Sequence, residues 1–141
     1  MIFSLQQLFS DAQAITATAA STNHIDLGAQ GVPYGANAQT RDQGKGNKVP
    51  VLIQVVADFN TLTSLNVAIQ QDDDNAFGTA EDVVSQDVVL ADLVAGKQIA
   101  MDVLPRDLTK RYVRLNYTVT GSAPTTGAVT AGITMGNQTN G

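Results

Sequence analysis

His24 is the only histidine among 141 residues, and there is no cysteine. A Ser-His-Asp constellation would therefore have to be drawn through that one side chain. His24 opens the short apolar run HIDL, nothing around it resembles a nucleophile elbow, and a structural or surface role is the better reading. The densest carboxylate cluster is Asp72, Asp73 and Asp74 with Asn75, and hard oxygen ligands of this kind suit calcium. A calcium loop spaces its ligands at alternate positions around a glycine, whereas three consecutive aspartates at a strand end point in different directions. A solvated turn that keeps a sheet edge from aggregating explains them better.

Gly44 and Gly46 in GKGNKV lack the third glycine of a dinucleotide fingerprint and the GK[ST] ending of a phosphate loop. The sequons at Asn116 and Asn137 matter only in a secreted eukaryotic protein. Disulfides and thiolate metal sites are excluded outright. The expectation from these residues is no enzyme activity, no metal and no cofactor. A small metal-dependent hydrolase stays as a distant rival that would need calcium or zinc at stoichiometric level.

The elements that carry these residues read as strands. In RYVRLNYTVTG, residues 111–121, Val113, Leu115, Tyr117 and Val119 share one parity against Arg114, Asn116, Thr118 and Thr120, the two-residue period of a half-buried strand. Tyr112 and Arg114 stand together on its outer face. Similar alternation runs through HIDL at 24–27, VPVLIQVVADF, SLNVAIQQ, QIAMDVLP and AVTAGITMG. The second of these has apolar groups on both faces and is expected to be central. Val83–Leu90 lacks clean alternation and suggests an edge strand with a bulge.

Connectors rich in Gly, Pro, Asp and Asn separate these runs. The pattern predicts an all-β, antiparallel β-sandwich or jelly roll, a single domain over residues 23–141 with a long loop at 28–47. Residues 1–22 form an N-terminal arm or first strand region. Within it Ile2, Leu5, Phe9 and Ala12 follow a 3-4-3 spacing that suits a short amphipathic helix, and TATAAST at 16–22 fits either a strand or a tether.

Apolar residues are 43% of the chain and charged residues 15%, the latter below the usual ~25%. One core is expected, burying roughly two-thirds of the unfolded chain's surface. The net charge is -5, and residues 51–96 contain no Lys or Arg. Such a chain is a poor non-specific ligand for nucleic acid, which needs cations to displace counterions. No apolar run approaches the roughly twenty residues of a membrane span, and the first forty residues hold no Lys or Arg to make a signal's basic region. A soluble protein made in the cytoplasm is expected, with no nucleic-acid and no membrane partner. A carbohydrate-binding module is the competing class, since β-sandwiches stack sugars on aromatic rings. The chain offers no Trp and only Tyr34, Tyr112 and Tyr117, and the last points inward.

Taken together, LFSDAQAITATAASTNHIDLG, VPVLIQVVADF, LTSLNVAIQQDDDNAF, LVAGKQIAMDVLP, KRYVRLNYTVTG and AVTAGITMG resemble, in order and spacing, the capsid cement (decoration) proteins of tailed bacteriophages, the type described for a Bordetella phage. The resemblance covers almost the whole chain, and the 28–47 loop looks longer here than the family pattern. It implies a jelly-roll protein on the outer surface of the phage head that bridges neighbouring major capsid protein subunits, has no enzymatic activity and forms a homo-oligomer, a dimer being favoured. The localisation implied is the virion, after synthesis in the host cytoplasm.

Two surfaces are then candidates for capsid or subunit contact. The first is the apolar arm, Ile2, Phe3, Leu5, Leu8 and Phe9, for which packing back on its own sheet is the rival reading. The second is the basic strip Arg106, Lys110, Arg111 and Arg114 with Tyr112, suited to acidic partner surfaces. A carbohydrate-binding module of a virion or tail fibre remains the alternative function.

Overall fold

A computed structural model describes residues 3–41, 46 and 48–136. Among the described residues eight strands run β1 (Phe3–Ala14), β2 (Ala19–Ala20), β3 (Ile25–Asp26), β4 (Val51–Ala57), β5 (Leu62–Asp72), β6 (Glu81–Val89), β7 (Tyr112–Gly121) and β8 (Ala128–Thr134), with one 3-10 turn at Leu90–Asp92. They form two antiparallel sheets. The smaller has the order β1-β8-β4; in the larger the order is β2-β7-β5-β6, with β3 also pairing β7. The all-β sandwich predicted from alternation is the fold observed.

The core lies between the sheets. Val51, Ile53, Val55, Val129 and Ala131 face Leu65, Val67, Ile69, Leu115 and Tyr117, all at most 1% exposed. The register explains why alternate residues serve: Val55 pairs Val129 and Ile53 pairs Ala131, while Val67 pairs Tyr117 and Ile69 pairs Leu115, so each cross-strand pair points one way. Leu93, Ile99, Met101, Leu104 and Leu108 from the long β6–β7 connection close one side of this core.

Four expectations are corrected. Residues 3–14 are a strand and not a helix, because β1 changes register against β8 three times, after Phe3, Leu8 and Ser10. Each irregularity puts unpaired residues into β1 and breaks the two-residue period, leaving Leu8, Phe9 and Ser10 buried in succession. Ala12 sits at φ 45 with its N–H held by the Thr130 hydroxyl at 2.9 Å.

Second, β4 is not central; β8 is. The second apolar face of β4 has a different cause. Leu52 is in register with Gly132, which pairs on its other side with Leu8. A Cβ on Gly132 would lie 2.9 Å from Leu8 Cδ2, 3.0 Å from the Gln7 carbonyl and 3.1 Å from Phe3 Cδ1. The bulged strand thus folds its apolar side chains over the outside of its own sheet, and Leu52 is only 2% exposed.

Third, 98–105 is not a strand. It makes isolated bridges Gln54↔Gln98 and Pro50↔Val103 along β4, interrupted by a tight turn in which the Met101 N–H donates to the Ile99 carbonyl at 2.8 Å. Fourth, the alternation of AVTAGITMG predicts Met135 facing inward with Val129, Ala131 and Ile133, but it lies past the end of β8 and is exposed. Among its described residues the loop expected at 28–47 carries no strand, and almost all of them are exposed. The edge strand with a bulge is β6, whose register shifts opposite Ile69 and Gln70.

Candidate functional site

The outer face of the larger sheet gathers most of the residues with chemistry. At the start of β7, Arg111 meets Asp26 of β3 through two parallel bonds, Nε to Oδ1 at 2.8 Å and Nη2 to Oδ2 at 2.7 Å. This fork holds the Asp26 carboxyl down at about 2, helped by the Gly28 N–H that donates to it. The same guanidinium lies 5.0 Å from the Tyr112 ring. Tyr112 meets His24 edge-on at 5.5 Å, His24 meets Phe77 edge-on at 5.7 Å, and the Arg114 guanidinium sits 4.2 Å over Phe77.

The result is a row running Arg111, Tyr112, His24, Phe77, Arg114, with a cation against an aromatic ring at each end. Three different regions deliver it: the residue before β3, the β5–β6 turn, and the start of β7. The turn is pinned by Asp72, whose carboxylate accepts from the Thr79 N–H at 2.8 Å and the Asp74 N–H at 3.0 Å. Those backbone donors lower its affinity for a proton. Phe77 takes φ 54 in that turn and is buried against the face. Arg114 also donates to Gln70 Oε1 at 2.9 Å, and Gln70 in turn to Asp82 at 2.7 Å.

His24 joins this row to the first strand. It lines a shallow cleft of about 360 Å³ with Leu5, Gln6, Leu8, Thr22 and Asn23. Leu5 on the rim is 81% exposed, and β1 is the outermost strand of its sheet. The apolar arm and the basic strip, expected as separate surfaces, therefore adjoin at His24.

The predicted residues divide as follows. Phe9 is fully buried and Leu8 is covered, so neither is free to meet a partner; the bulges of β1 turn both inward. Phe3 is half-buried over Gly132, and only Leu5 faces outward. Ile2 lies outside the described residues. Among the cations, Arg111 is bound to Asp26, Lys110 to Asp73 at 3.1 Å, and Arg114 is partly buried. Arg106 is exposed. The basic strip is thus a set of internal pairs more than a field of free charge. Tyr112 is half-buried between Arg111 and His24.

His24 and Phe77 were the residues sequence reasoning left out of the site. A signal for Phe77 existed: a lone aromatic inside DDDNAFGT has to find an apolar surface, and the nearest is the face of its own hairpin. One face each of Tyr112 and Phe77 meets a guanidinium, and His24 meets both rings edge-on. Tyr34 is the one fully exposed tyrosine, on the long loop. The aspartates at 72–74 aim at the Asp74, Ala76 and Thr79 N–H groups and at Lys110, and among the described residues no group of three His, Asp or Glu side chains converges as a metal site.

A protein-family model described as Bbp16 matches residues 9–133. The match takes in both sheets and every member of the ring row, and leaves Leu5 outside. No curated protein matches the chain.

Proposed function

This chain belongs to the Bbp16 family, and from that premise we propose that it is a structural virion protein. It binds the outer surface of a phage head, cements neighbouring major capsid protein subunits and stabilises the expanded shell. The observation that carries the reading is the continuous surface from Leu5 through His24 to Arg114. It is shallow, and its two guanidiniums already have partners within the chain, Arg111 the Asp26 carboxylate and Arg114 the Gln70 amide and the Phe77 ring. A partner that lands on it has little to reorganise, because the guanidiniums are held by Asp26, Gln70 and the rings before contact.

Cementing follows from valency. Each copy that touches two subunits adds its own contact to what must break when internal pressure separates them, and a standard contact buries on the order of 1,600 Å² in total. Many copies act in parallel on one shell. No reaction is assigned to the surface. The carbohydrate reading finds less support in the row, where Tyr112 and Phe77 each already meet a guanidinium, and it would rest on the exposed Tyr34.

The test is to mix the purified protein with expanded, undecorated heads and count bound copies after sedimentation. Saturable binding is expected, weakened by Leu5→Asp and by Tyr112→Ala. Absence of saturation, or equal binding to unexpanded proheads, would sink the proposal.

A further inference from the structure

One strand edge of the larger sheet is left open. β6 is its outermost strand, nine residues long, and among the described residues it pairs only with β5. That length matches an ordinary strand partner. Beside it runs the 97–105 segment, itself bonded to the edge of β4. Between the two lie adjoining clefts of about 380 and 220 Å³ that meet at Ala100. Their apolar lining includes Val84, Val89, Met101, Val103 and Pro105, of which Val84 and Val89 are 38% and 54% exposed.

The rim of this groove is acidic. Asp87 of β6 lines it, with Asp92 and Asp102 along the opposite wall, and Glu81 and Asp82 stand exposed at the start of the same strand. Asp82 and Asp87 accept from the neutral amides of Gln70 and Asn66 at 2.7 and 2.9 Å, which fixes the carboxylates without cancelling their charge. The one lysine of the groove, Lys97, is already 3.4 Å from Asp92, and Arg106 follows Pro105 at the far end.

We propose that this edge receives an extended, cationic segment of another protein as an added strand. Its backbone would pair with β6, its small apolar side chains would enter the cleft beside Val84 and Val88, and its alternate Lys or Arg side chains would meet Asp82 and Asp87 on the other face of the strand. A second copy of this chain is a poor occupant, because its β6 would bring the same acidic rim against this one. The charges that guard the edge against self-pairing thereby select the sign of the guest. The groove is a different surface from the ring row, and the proposal does not depend on capsid binding.

The experiment titrates the protein with a capped, fluorescent nine-residue peptide that alternates valine or threonine with lysine, read by anisotropy, and follows amide hydrogen exchange with and without it. Saturable binding is expected, with slowed exchange confined to residues 81–89. Affinity should fall steeply from about 0.01 M to about 1 M salt, where the screening length shrinks from about 30 to about 3 Å. Val84→Lys should weaken binding by about tenfold or more, a 1.4 kcal/mol effect, with an unchanged unfolding midpoint; if that variant does not fold, Val89→Lys on the exposed rim makes the same comparison. Equal binding of a glutamate-for-lysine peptide would overturn the proposal. So would protection elsewhere on the protein, or β6 protection that rises with the protein's own concentration in the absence of peptide, which would make a second copy the occupant.

Discussion

β7 and β1 are the same kind of object built under different constraints. Both are long strands, ten and twelve residues, in opposite sheets of one sandwich. β7 is interior to its sheet, pairs in unbroken register with β5 from Ser64 to Asp72, and buries Val113, Leu115 and Tyr117 at strict two-residue intervals. β1 is an edge with three register shifts, and it buries three residues in a row. Interior position enforces the period, since both neighbours must be satisfied at once. An edge strand answers to one neighbour and can bulge, and its free side then serves other purposes, here the cleft at Leu5 and His24.

The two strands are tied directly. Ser10 Oγ lies 2.8 Å from Tyr117 Oη and donates to Gln13 Oε1 at 2.7 Å, so the phenol hydrogen goes to Ser10. Gln13 donates in turn to the Ala20 carbonyl and accepts from the Thr22 N–H. Burial pushes the Tyr117 phenol well above its usual pKa and keeps it neutral as the donor. The sharpest way to ask whether β1 is a wall of the sandwich or a detachable arm is Phe9→Ala. As a wall it should cost about 3–5 kcal/mol in urea unfolding, comparable to Leu115→Ala in β7 at about 2–5. A loss under about 1 kcal/mol would return β1 to the status of an arm.

Gly132→Val is the next largest. The space a side chain needs is occupied by Leu8, Phe3 and the Gln7 carbonyl, and overpacking of this kind costs about 1–3 kcal/mol. Hydrogen exchange should speed first in residues 3–10, with β7 amides unaffected. Exchange that speeds equally in both strands would mean that the sandwich, and not the edge, had yielded.

This contrast also explains what could be read in advance. The core parity of β5, β7 and β8 was legible because alternation survives wherever register is continuous, and the bulged edge strand β6 was legible because its alternation fails. β1 was not, because its bulges set Leu5, Phe9 and Ala12 at spacings that imitate a helix. QIAMDVLP alternates yet is no strand, since its turn at Ile99–Met101 leaves the residues at 99 and 101 buried without a continuous ladder. The site was half visible. Tyr112 and Arg114 follow from the parity of β7, but the partners that consume their ring and charge come from β3 and a hairpin turn, which no local period connects to them.

The Ser10–Tyr117 tie gives a smaller effect with a characteristic asymmetry. Ser10→Ala leaves a buried phenol without an acceptor and should cost about 1–2 kcal/mol, whereas Tyr117→Phe removes a donor from an oxygen that still bonds Gln13 and should cost about 1. The double variant should cost less than the two singles combined, because the second change removes a group already orphaned by the first. Strict additivity, by the same unfolding measurement, would show that the bond does not couple the strands.

The smallest effect lies at the other end of β7, where the Asp26–Arg111 fork fastens β3. Both side chains are about 40% exposed, so the pair adds modestly to stability, as surface pairs do. Its pH dependence is nevertheless distinct. The folded Asp26 carboxyl titrates at about 2 against 3.8 for the free group, so the folded state holds fewer protons than the unfolded state in between. Its contribution is therefore complete above about pH 4 and is lost as pH falls toward 2. Unfolding of the wild type and Asp26→Asn, followed in urea from pH 6 to pH 2, should differ by a constant amount down to about pH 4 and converge below it. A difference that persists unchanged to pH 2 would show that the fork matters through its hydrogen-bond geometry, which asparagine partly keeps, and not through the charge that holds β3 to β7.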